Sequence, residues 1–361
     1  MEGEDASGVL SARDFVNWYN GHPDFASLHE NGHFNLSNED VVIIGNGNVA
    51  LDCARILLKP MEELKKTDIA DHAEDVLSNS NVRRVHIVGR RGHVQAAFTI
   101  KELREMTRIQ DTHMFVLRDE FQKGKTEASQ EELEQSRAKR RIEGLLDKHI
   151  FDGSADEAIS QSSCSKQCIL RFLLSPKQFE TLEDDGIRKV SGVKFLRTEL
   201  SGPPSEQNVQ LTEATELIEG GLALKSIGYA SSPVSEVPFD HNRKLVPSVQ
   251  SRVTSKDEDA MLGVYVAGWL RRGPTGIIGT NISDAKIATA SLVEDIETGS
   301  LRLFEDAGRV VDEKCPNAVP WSGWDKIDQE EKCRGETKGK LRSKIIDREE
   351  MLRIALQSVS P

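Results

Sequence analysis

Gly45 and Gly47, separated by one residue and followed by Ala50, carry the sharpest chemical signal in the sequence. They stand directly after the β-branched run Val41-Val42-Ile43-Ile44 and before an amphipathic stretch, the setting of a dinucleotide-binding loop. Gly45 permits the tight turn, Gly47 lets a pyrophosphate approach the backbone, and Ala50 lets helix and strand pack closely. The helix that follows offers free amides and a positive dipole end to phosphate groups. Asp52, in its first turn, reads as an acid that favours the dipole.

The next apolar strand, Arg84–Val88, ends in Gly89-Arg90-Arg91-Gly92 with no acid at its tip. An NAD site places Asp or Glu there for the ribose hydroxyls, whereas an NADP site places Arg for the 2′-phosphate. A guanidinium fork matches phosphate geometry, so NADP(H) is the expected ligand; the alternative is a pair of solvated arginines. A second turn of small residues, Trp269 to Thr280, joins a strand to a helix without this fingerprint. Its helix N-terminus suits the charge of a reduced flavin, or it is a plain strand-turn-helix connection. The five cysteines are scattered, as in a chain without a disulfide framework. Cys164 and Cys168 form a CxxxC pair, but zinc needs two further ligands and none has matching spacing. No metal site is expected.

The elements that must hold these groups alternate. A helix over 9–20, N-capped by Ser11, precedes the Val41–Gly45 strand. The loop helix runs to Lys59-Pro60, and after the Arg84–Val88 strand a further helix lies near Ala96–Met106. Residues 118–148 read as charge-dense helix, with 152–168 and 181–190 as surface loops. Further strands are expected at Cys168–Leu174, Val190–Leu196, Leu222–Ile227 and Val264–Gly268, with a helix around Asn281–Ile296. This is an α/β pattern with a parallel sheet. A chain of 361 residues suggests two domains, and Pro233 and Pro238 mark a boundary between 1–230 and 231–361. A net charge of −12 argues against nucleic acid as a partner. No apolar run approaches the ~18 residues a membrane span requires, and the acidic start MEGEDASG has the features of neither a signal nor a transit peptide.

The strings SARDFVNWYNG, GNGNVALDCARILL, VGRRGHVQAAFTIKELREM, SIGYASSPV and VAGWLRRGPTGII together resemble the adrenodoxin reductase family, mitochondrial NADPH-dependent ferredoxin reductases. The resemblance covers nearly the whole chain, through SGWDKID and DREEMLRIA. It implies a Rossmann-like NADP-binding domain plus the C-terminal part of an FAD-binding domain. It implies an oxidoreductase that takes a hydride from NADPH onto FAD and passes single electrons to a [2Fe–2S] ferredoxin, with no side-chain nucleophile. By position, Asn46, Gly47, Asn48 and Val49 would contact NADP, with Arg90 and Arg91 at the 2′-phosphate, and Glu102. Trp269, Gly276, Ile277 and Ile278 would contact FAD. The basic run Arg137, Lys139, Arg140 and Arg141 falls where the family docks its acidic ferredoxin; otherwise it is a solvated helix face. The resemblance also implies the mitochondrial matrix, with at most a peripheral association with the inner membrane.

One departure is expected to matter. The family opens with its own FAD strand-GxGxxG-helix, whereas this chain has one GxGxxA with 40 residues before its strand. The expectation is a truncated form that binds NADP(H) and holds FAD weakly or not at all, with apolar surface exposed in 231–361. Two other readings stand beside the reductase: an NADP-binding, ferredoxin-docking fragment without turnover, and a flavin reductase like the glutamate synthase small subunit.

Overall fold

The computed structural model describes residues 1–255, 259–274, 278–301, 313–315 and 318–357. Two compact units emerge, one formed by 1–227 with 319–361 and the other by 228–318.

The first unit is built on a parallel sheet of seven strands: β1 (Val9–Ser11), β2 (Asp40–Ile44), β3 (Arg84–Val88), β4 (Thr112–Leu117), β5 (Ile150–Phe151), β6 (Lys166–Arg171) and, much later in the chain, the strand Leu222–Lys225. Between the last two lie the long antiparallel strands β7 (Leu174–Asp184), β8 (Ile187–Ser201) and β9 (Asn208–Glu219), so Leu222–Lys225 is β10. The spatial order is β1-β10-β2-β3-β6-β4-β5.

The unbroken VVII run of β2 follows from burial on both faces. Val41 and Ile43 join helical residues Phe15, Trp18, Ala50, Leu51, Ala54 and Leu57 in one core cluster. Val42 and Ile44 face the other way and pack with Phe179, Val190, Val193 and Phe195 of the β7-β8-β9 meander. Each such fully buried Val or Ile side chain contributes roughly 1.5–3 kcal/mol. The helical layer includes α1 (Ala12–Tyr19), whose N-cap Ser11 accepts from the Asp14 amide at 3.0 Å, and α2 (Asn48–Leu58). After α2 come α3 (Met61–Leu64), α4 (Asp71–Ser78), α5 (Ile100–Met106), α6 (Arg118–Lys123), α7 (Glu127–Gln135), α8 (Arg137–Leu146) and α9 (Ala155–Gln161).

Both stretches expected as surface loops are structured. Ser154 and Glu157 form a capping box that starts α9 inside 152–168. Residues 181–190 are the paired ends of β7 and β8, joined at Asp185 and Gly186, both with positive φ (51° and 75°). That geometry is a type I′ hairpin turn, for which Asp-Gly is a strong local signal. The strand β4 lies in a stretch with no assigned element in the sequence reading.

The second unit holds a small antiparallel sheet, β11 (Ser248–Val249), β12 (Arg252–Thr254) and β13 (Ala260–Tyr265). Val246, Val253 and Val266 form its core. The strand expected to be buried at 264–268 is therefore displaced toward 260–265 and only partly covered. The helices α10 (Trp269–Arg272) and α11 (Ile278–Glu297) follow. On α11, Ile282, Ile287, Val293 and Ile296 are exposed.

Grouping 231–361 as one domain does not fit this architecture, because 319–361 belongs to the first unit. Its two helices, Trp321–Thr337 and Arg348–Leu356, are joined by a segment whose Lys340 is nearly buried and pairs with Asp71 on α4 at 2.8 Å. Lys344 reaches Asp68 at 3.3 Å and Arg348 reaches Asp24 at 2.6 Å. Among the described residues no helix is long and apolar enough to cross a membrane.

Candidate dinucleotide site at the carboxyl ends of β2 and β3

β2 and β3 pair in parallel, with Ile44 opposite Val88. The residues after them, Gly45 and Gly89, therefore leave the sheet side by side, and the Gly45 amide donates to the Val88 carbonyl at 2.7 Å. Gly45 has φ 127°, and a Cβ there would overlap the Ser226 carbonyl oxygen. Its glycine is required by the protein's own packing. Gly47 differs: its backbone is extended, and a Cβ would meet nothing within 4 Å. No neighbouring atom excludes a side chain at Gly47, so what it keeps clear is open space above the loop.

Gly47 is the N-cap of α2 and supplies no side-chain cap. The amide end of an 11-residue helix thus faces that space. Asn46 lies across Gly89, where a Cβ would overlap its carboxamide. Its Nδ2 donates to the Arg171 carbonyl at 3.5 Å, while its Oδ1 is buried without a partner among the described residues. An unpaired buried acceptor beside an open helix N-terminus fits a ligand with hydrogen-bond donors such as a nucleotide. Asn48 has a structural task, its Oδ1 accepting from the Thr99 amide at 2.8 Å. Together with the Ala97 amide, which donates to the Asn46 carbonyl at 2.8 Å, this fastens 97–99 beside the loop.

Arg90 and Arg91 are exposed, and neither guanidinium has a hydrogen-bond or ion-pair partner among the described residues. Their backbone is firmly held. The Gly89 amide donates to the Arg171 carbonyl at 2.9 Å, and the Leu173 amide donates to the Arg91 carbonyl at 3.2 Å. The Thr198 hydroxyl donates to the Arg90 carbonyl at 2.7 Å. Beneath this turn Arg171 and Glu120, both buried, pair at 2.6 Å, and the other Glu120 oxygen accepts from the Phe172 amide at 2.8 Å. His93, two residues beyond Arg91, is stacked on Phe121 with ring centroids 4.1 Å apart. Burial pushes its pKa down to about 3, so it stays neutral.

The site therefore brings Asn46, Gly47, Asn48, Val49, Arg90 and Arg91 to neighbouring strand ends. Glu102 sits on α5, where it pairs with Arg55 of α2 at 2.9 Å. Arg55 also pairs with Asp52 and Glu105, so Asp52 belongs to an ion cluster and not to the first turn of the helix. Trp269 opens α10 in the second unit, half-exposed and stacked on Tyr229 at 5.6 Å. Gly276 and Ile277 lie outside the described residues, as does the side chain of Ile278. Cys168 is buried in β6 with its thiol pushed up to about 12 by burial, Cys164 is free, and no group of metal-ligating side chains occurs among the described residues.

The basic run divides. Lys139 pairs with the buried Glu132, and Arg140 donates to the Leu133 and Glu134 carbonyls at the end of α7. Arg137 and Arg141 are exposed without a partner among the described residues. Sequence reasoning missed Arg171 and Thr198. Gly89 was visible as a glycine ending a β-branched strand, but Thr198 lies 108 residues from Arg90 with no local signal.

No family model matches the chain. Among curated proteins, it is 40% identical over 365 residues to the mitochondrial NADPH:adrenodoxin oxidoreductase of Arabidopsis thaliana, covering 98% of this chain and 74% of that one. The human protein of the same name is 39% identical, with 98% and 70% covered. The NADPH-ferredoxin reductase FprA of Mycobacterium tuberculosis is 35% identical, with 99% and 75% covered. The solved structure of FprA in complex with NADPH superposes with a TM-score of 0.84 at 34% identity, over 99% of this chain and 75% of that one. With a parallel sheet that matches in fold and identity sustained along its length, the chain belongs to the NADPH:adrenodoxin oxidoreductase family of oxidoreductases.

Proposed function

We propose that this chain binds NADP(H) at the ends of β2 and β3 and serves as an NADPH-dependent reductase that delivers electrons through FAD to a [2Fe–2S] ferredoxin. One observation carries the nucleotide reading. Gly47 is bare where no protein atom demands it, beside two arginines whose guanidinium groups have no partner among the described residues. A pyrophosphate needs that clearance and a 2′-phosphate needs those charges.

When bound, FAD would take up the hydride of NADPH and let its two electrons pass one at a time to a one-electron acceptor, with the proton released to solvent. The residues of this chain bind and orient. The α2 amides receive the pyrophosphate and Arg90 and Arg91 the 2′-phosphate, while Asn46 in the loop and Glu102 on α5 are assigned to the nucleotide on family likeness. The FAD contacts are assigned to Trp269, Gly276, Ile277 and Ile278 on family likeness. Arg137 and Arg141, the members of the basic run with no partner among the described residues, are assigned to meet an acidic ferredoxin, supported by adrenodoxin and ferredoxin in the relatives' names. The plant and animal relatives named as mitochondrial support a matrix location.

The test is a purified full-length chain assayed for a bound yellow chromophore and for NADPH-dependent reduction of a [2Fe–2S] ferredoxin. Turnover with NADPH and little with NADH is expected. Colourless protein that binds NADPH without turnover would contradict the reductase reading.

A further inference from the structure

Three main-chain carbonyls run through the turn that carries the arginines, and each accepts one hydrogen bond from the chain beyond β6. The Gly89 oxygen accepts from the Leu174 amide at 3.1 Å, and the Arg91 oxygen from the Leu173 amide at 3.2 Å. Both bonds are backbone to backbone. The middle oxygen, that of Arg90, accepts from the Thr198 hydroxyl at 2.7 Å, so a side chain holds it.

Thr198 is built into this position. It is 4% exposed, and its own amide donates to the Leu173 carbonyl at 2.9 Å. One residue thus fastens both the arginine turn and the segment that braces it. The β8–β9 register shifts between Leu196 and Thr198, an irregularity of the kind that re-aims a side chain out of the regular ladder. Leu173 stands at φ 58°, a left-handed conformation costly for leucine. Such strain is retained where the surroundings over-determine it, and here the strained residue hydrogen-bonds both Arg91 and Thr198.

We propose that Thr198 is a positioning residue for NADP(H) selectivity, holding the Arg90 main chain so that the guanidinium is offered in one place to the 2′-phosphate. The inference rests on the reading of Arg90 and Arg91 as 2′-phosphate ligands. An exposed arginine with no partner of its own has many rotamers, so its reach is set by where its backbone is fixed. NAD lacks the 2′-phosphate. Loosening the Arg90 carbonyl therefore weakens NADP binding and leaves NAD binding alone, which a general loss of structure does not do.

The experiment measures dissociation constants of the full-length chain for NADP⁺ and for NAD⁺ by calorimetry, in wild type, Thr198→Val, Thr198→Ser and Arg90→Ala. Thr198→Val, which keeps the shape and removes the hydroxyl, is expected to weaken NADP⁺ about three- to tenfold, in keeping with one lost hydrogen bond. NAD⁺ should stay within about twofold, and Thr198→Ser should return NADP⁺ to within about twofold of wild type. Thr198→Ala replaces the valine variant if that one misfolds. Equal losses for both nucleotides, no loss for either, or a serine variant as weak as the valine overturns the inference. Arg90→Ala separates the two levels: selective loss there with none in Thr198→Val leaves the phosphate reading standing and removes Thr198. Equal loss of both nucleotides in Arg90→Ala removes the phosphate reading, and the role of Thr198 with it.

Discussion

At Gly45 a methyl group would overlap the Ser226 carbonyl oxygen, whereas at Gly47 it would meet nothing within 4 Å. The two glycines of the fingerprint therefore answer to different demands, one from the fold and one from the ligand. Gly45→Ala is expected to lower the melting temperature by several degrees, since φ 127° is strained for any residue with a Cβ and the clash adds to that strain. Gly47→Ala is expected to lower the melting temperature by no more than about two degrees, through a poorer N-cap alone, and to weaken NADP⁺ at least tenfold. A thermal scan and a binding titration on the two variants check the pair. An equally large loss of stability in both, or no loss of NADP⁺ binding in Gly47→Ala, would show that Gly47 is not clearing space for a nucleotide. Spacing and flanking apolar runs were enough to find both glycines in the sequence. Which glycine serves packing was hidden, because Ser226 lies 181 positions away along the chain.

The helix α8 shows what a charge run conceals. Four basic residues sit within five positions, yet Lys139 and Arg140 are committed to Glu132 and to the carbonyl end of α7. Arg140→Glu is accordingly expected to destabilise the α7–α8 corner by about 1–2 kcal/mol through lost hydrogen bonds to backbone acceptors. The Arg137→Glu, Arg141→Glu double variant should fold normally. It should slow ferredoxin association about tenfold at low ionic strength, with the difference fading as salt rises. Stopped-flow association at two salt concentrations checks this; a salt-independent effect, or none, would mean the helix is an ordinary solvated face. Elements buried on both sides were legible as apolar runs, as in β2 and β3. The meander β7-β8-β9 was legible only in part: Val190–Leu196 of β8 read as a strand, but where its strands meet water and carry charges they did not, and 181–190, with its Asp185-Gly186 turn, read as a loop.

At the scale of the whole molecule, histidines that folding keeps neutral make the protein less stable in acid. His72, His86 and His93 all have pKa values lowered by burial, His93 to about 3. In the unfolded chain a histidine takes up its proton near pH 6.5, while the folded chain resists it. The sign follows: the unfolded state binds more protons below pH 6.5, so stability is full above that value. For His93 it is lost progressively as the pH falls toward about 3. Urea midpoints measured at pH 7.5 and 5.5 should fall with the pH, and His93→Phe should reduce that fall. An unchanged slope would show that His93 is not protected from protonation. The return of 319–361 to the first unit is a feature of this same scale. Its contacts include the buried Ile345 and ion pairs such as Lys340–Asp71, 269 positions apart, which no local pattern discloses.

The central claim, that Arg90 and Arg91 make this loop an NADP(H) site, is tested most directly by one ratio. Calorimetric titration of the wild-type chain and the Arg90→Ala, Arg91→Ala double variant with NADP⁺ and NAD⁺ gives that ratio for each protein. The wild type should prefer NADP⁺ by at least about a hundredfold, as two charge-assisted phosphate contacts imply. The double variant should bring the two affinities within about fivefold, almost entirely by weakening NADP⁺. Equal weakening of both nucleotides, or a preference that survives the substitution, would contradict the account.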